Sequence, residues 1–483
     1  MEKADQPTQR EPFPQSALFP ISKERVRAED ALTRSLAAAR DRVSAGPVVP
    51  AVDMIAFERD LAAFDFRVPR PLDDVLAWTI ACLETGVVHT HHPRYFGLFN
   101  PSPTFPAQCA DRIAAYFNPQ LATFTTSPVP VSIEAHVARA LAERAGLPSG
   151  SSGHFTTGGA EANLTAAVCA LTRLDTSFAD RGARAFTGPP AVYVSREAHA
   201  AWLKIAHITG IGRSAIRFVN TDGCGRMDPE TLADTIAVDQ AEGRIPVLVV
   251  ATAGTTGGGM IDPLRDCSVI ARAAGAWFHV DAAWGGAVLV SERWRHLMSG
   301  LEEADSITID AHKWLAATMS CGLFITRHPD TLSAAFRVST GYMPPSDASR
   351  DPYATTVQWS RRFAGLRLFL ALATSGWSGL AAHLERAIDL AELLRGEVLV
   401  RGWKVANASS LAVLCLEPPA GSRDVPEVVR RVVASGHSWI SVTSFERRDT
   451  VRVCLTNGET TPQDVLLLAD LLQASSKLAV PSD

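Results

Sequence analysis

The sequence predicts an α/β fold built on a mostly parallel sheet, and three observations carry that expectation. Short runs rich in β-branched residues recur mid-chain: AVYVS at 191–195, IPVLVVATAG at 245–254, AWFHVDAA at 276–283 and DSITID at 305–310. Stretches of helical apolar spacing separate them, as in PLRDCSVIARAAG at 263–275. Strands that alternate with helices form parallel sheets with helices on both faces. Finally, 483 residues with 47% apolar and 20% charged content can fill a large core, divided over two or three lobes.

Taken in order, residues 1 to about 20 are polar and proline-bearing and read as disordered, with no apolar signal core in MEKADQPTQREPFPQ. Helical spacing follows at 25–39 and 71–83, before any strand, so residues 1–95 are expected to form a helical arm. The strand-rich region gives a large domain over 96–375. It includes a Gly/Pro/Ser/Asp breaker at 339–352 and a helix expected over 359–377. Strands at 411–417 and 450–456 and a closing helix at 462–475 suggest a small α+β domain over 376–483.

Charge and composition exclude several functions. A net charge of -5 argues against a nucleic-acid partner, and lysines do not cluster as a membrane surface would require. No run of about 18 apolar residues is free of charge, so no membrane partner is expected. The eight cysteines are scattered without CxxC or Cys/His ligand spacing. They read as reduced thiols of a cytoplasmic protein with no metal site.

In a parallel sheet, ligands bind beyond the carboxyl ends of the strands. Four such positions carry chemistry. GHFTTGGAEANLTAAV at 153–168 leads from a strand into a helix beginning near Ala160, where backbone N–H groups and the helix dipole suit a phosphate. SREAH at 195–199 places His199 just past a strand, and HVDAAWGG at 279–286 ends a buried strand on Asp281. SITIDAHKW at 306–314 ends on His312, Lys313 and Trp314. An anion cradle, a carboxylate, an imidazole and a lysine meet the four demands of pyridoxal 5'-phosphate: its phosphate, pyridine nitrogen, ring face and aldehyde.

The motifs HVDAAWGG, DAHKW, TTGGAEANL, ATAGTTGGGMIDPL and HPRYFG (92–97) resemble those of the group II pyridoxal-phosphate-dependent amino-acid decarboxylases, in family order from about residue 70 to 470. The resemblance implies the fold type I architecture of such enzymes and a homodimer with sites at the subunit interface. It matches Lys313 to the Schiff-base lysine, His312 to its neighbour near the phosphate, Asp281 to the pyridinium partner and Ala283 to the alanine packed on the ring. His199 matches the stacking histidine, Thr256 a residue near the ring oxygen, and Gly159 and Ala160 the backbone phosphate donors, although serine is common where Ala160 stands. Tyr342, in AFRVSTGYMPP, matches a loop tyrosine that returns a proton to Cα after carbon dioxide leaves. That position favours an amine product over the aldehyde of the family's aldehyde synthases.

The expected activity is α-decarboxylation of an L-amino acid. The substrate pocket is expected at Leu98, Phe99 and Asn100, which differ from the tyrosine and phenylalanine of aromatic decarboxylases. The "SPA" block is also altered, to SPVPVSIE at 127–134. Leu98 and Phe99 tilt the expectation toward an aromatic or apolar substrate, with acidic or diamino acids as the alternative. Arg94 and Arg452 are the basic residues open to a carboxylate-holding role.

Overall fold

The computed structural model describes residues 18–338 and 350–478. The chain divides into two compact units, Met1–His89 and Thr90–Asp483. In the first, the helices are Ser22–Ala45, Met54–Ala62 and Leu72–Gly86. Asp53 starts the second of these by accepting the Ala56 N–H at 3.0 Å. Trp78 packs against Phe64 at 4.6 Å, and Arg42 pairs with Glu84.

The second unit is organised by a seven-stranded sheet: β1 (Ser152–Thr156), β2 (Pro190–Ser195), β3 (Ile216–Val219), β4 (Ile245–Thr252), β5 (Trp277–Asp281), β6 (Ser306–Asp310) and β7 (Gly322–Thr326). Their order is β1-β7-β6-β5-β4-β2-β3, and within this sheet β7 alone runs against its neighbours. Both faces are covered. Ala191, Tyr193, Val249 and Ala251 belong to one core with the helices Pro128–Arg144, Pro229–Ala241 and Leu264–Ala273. Val192, Val194, Leu248 and Val250 alternate with them and pack on Gly159–Leu174 and Ala201–Ile208. Burial on both sides is why these strands read as continuous apolar runs.

A second sheet joins β8 (Lys404–Val405), β9 (Val413–Glu417), β10 (Ser441–Phe445) and β11 (Arg448–Cys454) in the order β10-β11-β9-β8, antiparallel throughout. Glu446 and Arg447 turn the β10–β11 hairpin with φ of 48° and 62°. Two successive left-handed residues match the twist of a tight hairpin. All eight cysteines are free thiols, five of them buried. Among the described residues no helix is long and apolar enough to cross a membrane.

The helix expected over 359–377 instead begins at Leu366 and runs to Val400, interrupted at Gly376, where φ is 65°. Glu134 explains the late start. It accepts from Arg361 Nη1 at 2.6 Å and from the Gly365 N–H at 2.9 Å, and Arg361 also bridges to the Leu121 backbone. These bonds hold 361–364 outside the helix despite its helical spacing. Glu134 and Arg361 are both nearly fully buried. Glu134→Ala strands a buried guanidinium, so it is expected to cost about 3–5 kcal/mol of stability in equilibrium denaturant unfolding.

Candidate active site

The parallel strands deliver their following loops to one edge of the sheet, and the site is built there. β6 ends at Asp310, and a tight turn brings Lys313 back so that its Nζ lies 3.1 Å from Asp310 Oδ2. Asp310 is almost fully buried, whereas Lys313 keeps part of its side chain open to solvent. Trp314 points the other way, into the core. Its ring stacks on Trp284 at 4.5 Å, nearly parallel, and Trp284 stacks on Phe99 at 4.1 Å. This three-ring pile anchors the turn. Lys313 Nζ and the Arg452 guanidinium stand over the Phe99 ring at 5.5 and 4.6 Å from its centroid.

β5 ends at Asp281, also buried. Its Oδ2 accepts from Asn163 Nδ2 at 2.8 Å and its Oδ1 from the Ala283 N–H at 3.2 Å. No cation pairs with it among the described residues. A buried carboxylate with neutral donors alone retains affinity for a positively charged N–H. The helix Gly159–Leu174 opens beside it, and its first N–H groups have no partner within the helix. A Cβ on Gly159 would lie 2.9 Å from Asp310 Oδ2 and 3.4 Å from the Ala283 methyl, so these residues converge on one spot. His312 closes the same corner. Its Nδ1 meets the Cys321 carbonyl at 3.0 Å, and its Cε1 is 3.3 Å from where a Cβ of Gly158 would stand.

The remaining sequence-predicted residues divide. Thr256 offers its carbonyl to Arg452 Nε at 2.8 Å, which links the β4 loop to the Phe99 corner. His199 follows β2, is exposed, and accepts the Ala201 N–H on Nδ1 at 3.1 Å; Ala160 is exposed on the first helical turn. Leu98 is half exposed, and Asn100 Oδ1 lies 3.5 Å from the Tyr95 hydroxyl. Arg94 offers its backbone carbonyl to Ser438. Tyr342 lies outside the described residues. Sequence reading passed over Asp310 and Asn163. A carboxylate three residues before the lysine was a visible signal for the first. The second sits in an alanine-rich helix that carries no motif of its own.

Two orphaned polar atoms test the fit of a cofactor and its substrate. Asp310 Oδ1 and Arg452 Nη2 are buried without hydrogen-bond partners among the described residues. A donor-rich helix start, a lysine, a buried acceptor and a glycine-lined gap suit pyridoxal 5'-phosphate, and the unsatisfied guanidinium suits an anionic group beside it. Fold and site together define a pyridoxal-phosphate-dependent enzyme acting on amino acids. The chain belongs to the pyridoxal-dependent decarboxylases: a family model described as the pyridoxal-dependent decarboxylase conserved domain matches residues 64–412. It is a carboxy-lyase with pyridoxal 5'-phosphate as cofactor. Cysteine sulfinic acid decarboxylase of Mus musculus is 35% identical over 361 residues, covering 71% of this chain and 72% of that one. L-2,4-diaminobutyrate decarboxylase of Rhizobium meliloti is 30% identical over 397 residues, or 80% of this chain and 78% of that one. The crystal structure of mouse CSAD in apo form superposes with a TM-score of 0.86 at 28% identity, over 94% of this chain and 100% of that one.

Gly322 pairs with Asp310 across β6 and β7, and a Cβ there would come within 2.7 Å of Gly158 Cα and 2.8 Å of Asp310 Oδ1. Gly322→Ala is expected to cost about 1–3 kcal/mol of overpacking and to weaken cofactor binding by displacing the helix start. Thermal unfolding, together with an absorbance titration of the cofactor, measures both.

Proposed function

We propose that this enzyme decarboxylates a small acidic L-amino acid of the cysteine sulfinate or aspartate type, releasing carbon dioxide and the amine. One observation carries the choice of substrate. Arg452 is a buried guanidinium that donates only to the carbonyls of Thr256 and Gly97, has no carboxylate partner among the described residues, and lies over the ring that Lys313 also faces. Burying an uncompensated cation is costly, so an anionic ligand group is the natural complement. The two relatives act on side chains of different charge, and Arg452 favours the anionic one. This replaces the expectation of an aromatic or apolar side chain. Phe99 supports the revision, because Trp284 covers one of its faces and cations approach it.

Bound in this site, pyridoxal 5'-phosphate supplies the electron sink for the bond broken when the carboxylate leaves. The chain's own residues do the rest. Lys313 Nζ would hold the cofactor through its aldehyde carbon. Gly159 and Ala160 would hold the phosphate through their N–H groups, with His312 beside them, and His199 would face the ring. Asp281 would accept the N–H of the pyridine ring, and Ala283 would line the ring's site. Tyr342 returns the proton to Cα. Thr256 orients Arg452 through its carbonyl. The enzyme acts in the cytoplasm as a homodimer.

Four measurements test these roles. Lys313→Ala is expected to abolish the lysine–cofactor absorbance band; a variant keeping the band and full turnover overturns the assignment. Carbon dioxide release screened over the L-amino acids is expected to peak at acidic side chains, and a peak at 2,4-diaminobutyrate or an aromatic acid overturns the substrate class. Arg452→Leu is expected to lower kcat/KM for the acidic substrate about a hundredfold, the cost of removing a buried charge partner. Tyr342→Phe is expected to divert product toward aldehyde, detected with ammonia and hydrogen peroxide.

A further inference from the structure

Behind Asp281 lies a buried chain of side chains. Trp277 Nε1 donates to Ser306 Oγ at 2.8 Å, and Ser306 Oγ meets His279 Nδ1 at 2.8 Å. His279 Nε2 meets Asn163 Oδ1 at 3.0 Å, and Asn163 Nδ2 donates to Asp281 Oδ2 at 2.8 Å. Thr308 donates to the same Asn163 oxygen at 2.7 Å and lies 3.3 Å from His279 Nε2. Trp277, His279, Ser306, Thr308 and Asn163 are all buried.

Donor and acceptor chemistry sets the direction. An ionised carboxylate only accepts, so Asn163 must turn its NH2 toward Asp281 and its oxygen toward Thr308 and His279. His279 Nε2 must then carry the proton. Burial drives the His279 pKa down to about 4, so the ring is neutral and its Nδ1 is bare. A bare Nδ1 takes the Ser306 hydroxyl proton, which leaves the Ser306 oxygen to accept the Trp277 indole N–H. Read from the indole end the same polarity results, because indole can only donate. Each member is polarised by the next, and every proton points toward Asp281.

We propose that Asn163, His279 and Ser306 are positioning residues: a one-way hydrogen-bond chain that holds the Asp281 carboxylate aimed at the cofactor's pyridine nitrogen. The proposal rests on the reading of Asp281 as the partner of that nitrogen. Asn163 also shapes the carboxylate. It occupies one side of Oδ2, while Ala283 holds Oδ1, so Asp281 is fixed in one orientation before any ligand arrives.

The test uses the cofactor-loaded enzyme and three variants, Asn163→Leu, Ser306→Ala and Asp281→Ala. Charged hydrogen bonds of this kind correspond to a tenfold to hundredfold effect, so Asn163→Leu is expected to lower kcat by about that factor with KM changed less than about threefold. A less firmly held pyridinium proton withdraws electrons less, so the lysine–cofactor linkage keeps its own proton to higher pH. The pH midpoint of its absorbance band is therefore expected to rise. Ser306→Ala, two links farther away and isosteric enough to fold, is expected to move both readouts in the same direction by a smaller amount. Asn163→Leu and Ser306→Ala enzymes with wild-type midpoint and kcat, beside an Asp281→Ala enzyme that loses both, overturn the chain and leave Asp281 in its role. An Asp281→Ala enzyme with wild-type values overturns the reading of Asp281 itself.

Discussion

The parallel pairing of β5 with β6 is the interaction on which the site depends. It sets Asp281 opposite Thr308 and lets β6 run two residues farther, to Asp310. The two carboxylates therefore end adjacent strands at different heights on one edge. Backbone hydrogen bonds hold that offset, and these are among the least deformable parts of a buried sheet. Lys313, the helix start at Gly159 and the Asn163 side chain take their positions from it. Antiparallel β7 reinforces the edge from the other side, because its glycine at 322 is the only residue small enough to lie against Asp310.

Buried charge is handled in more than one way in this unit. Away from the site, Glu134 pairs with Arg361 at 2.6 Å and buried Asp239 with Arg217 at 2.8 Å, whereas Asp262 is buried against the Met227 and Thr252 N–H groups alone. In the site, buried charges are left short of partners. Asp281 has neutral donors only, Asp310 keeps one oxygen unsatisfied, and Arg452 keeps one nitrogen unsatisfied. Such arrangements cost stability, and a ligand that reaches them can complete them. A cofactor with a cationic ring nitrogen, and a substrate with the anionic side chain proposed above, would complete two of the three.

Much of the architecture was legible from local pattern. The runs at 191–195, 245–254, 276–283 and 305–310 became β2, β4, β5 and β6, because burial on both faces demands apolar residues at every position. Where tertiary partners competed, pattern failed. Segment 359–364 has helical spacing but is held out of the helix by Glu134, more than two hundred residues away. β10 was unreadable because its residues SVTSF are largely polar and half exposed, and it forms only by pairing with β11. Helix Met54–Ala62 and strand β7 also escaped notice, being short runs without turn signals strong enough to separate them from their surroundings.

By itself the sequence determined the cofactor chemistry and the order of the parts: a lysine after one strand, an aspartate after another, a glycine-rich helix start before both. Those depend on motifs a few residues long, where chemistry and local geometry are specified together. Only the tertiary structure decided what surrounds them. Asp310 beside Lys313, the directed chain from Trp277 to Asp281, and Arg452 over Phe99 join residues distant in the chain. Their meaning lies in burial and in missing partners, and neither burial nor a missing partner is a property of any segment read alone.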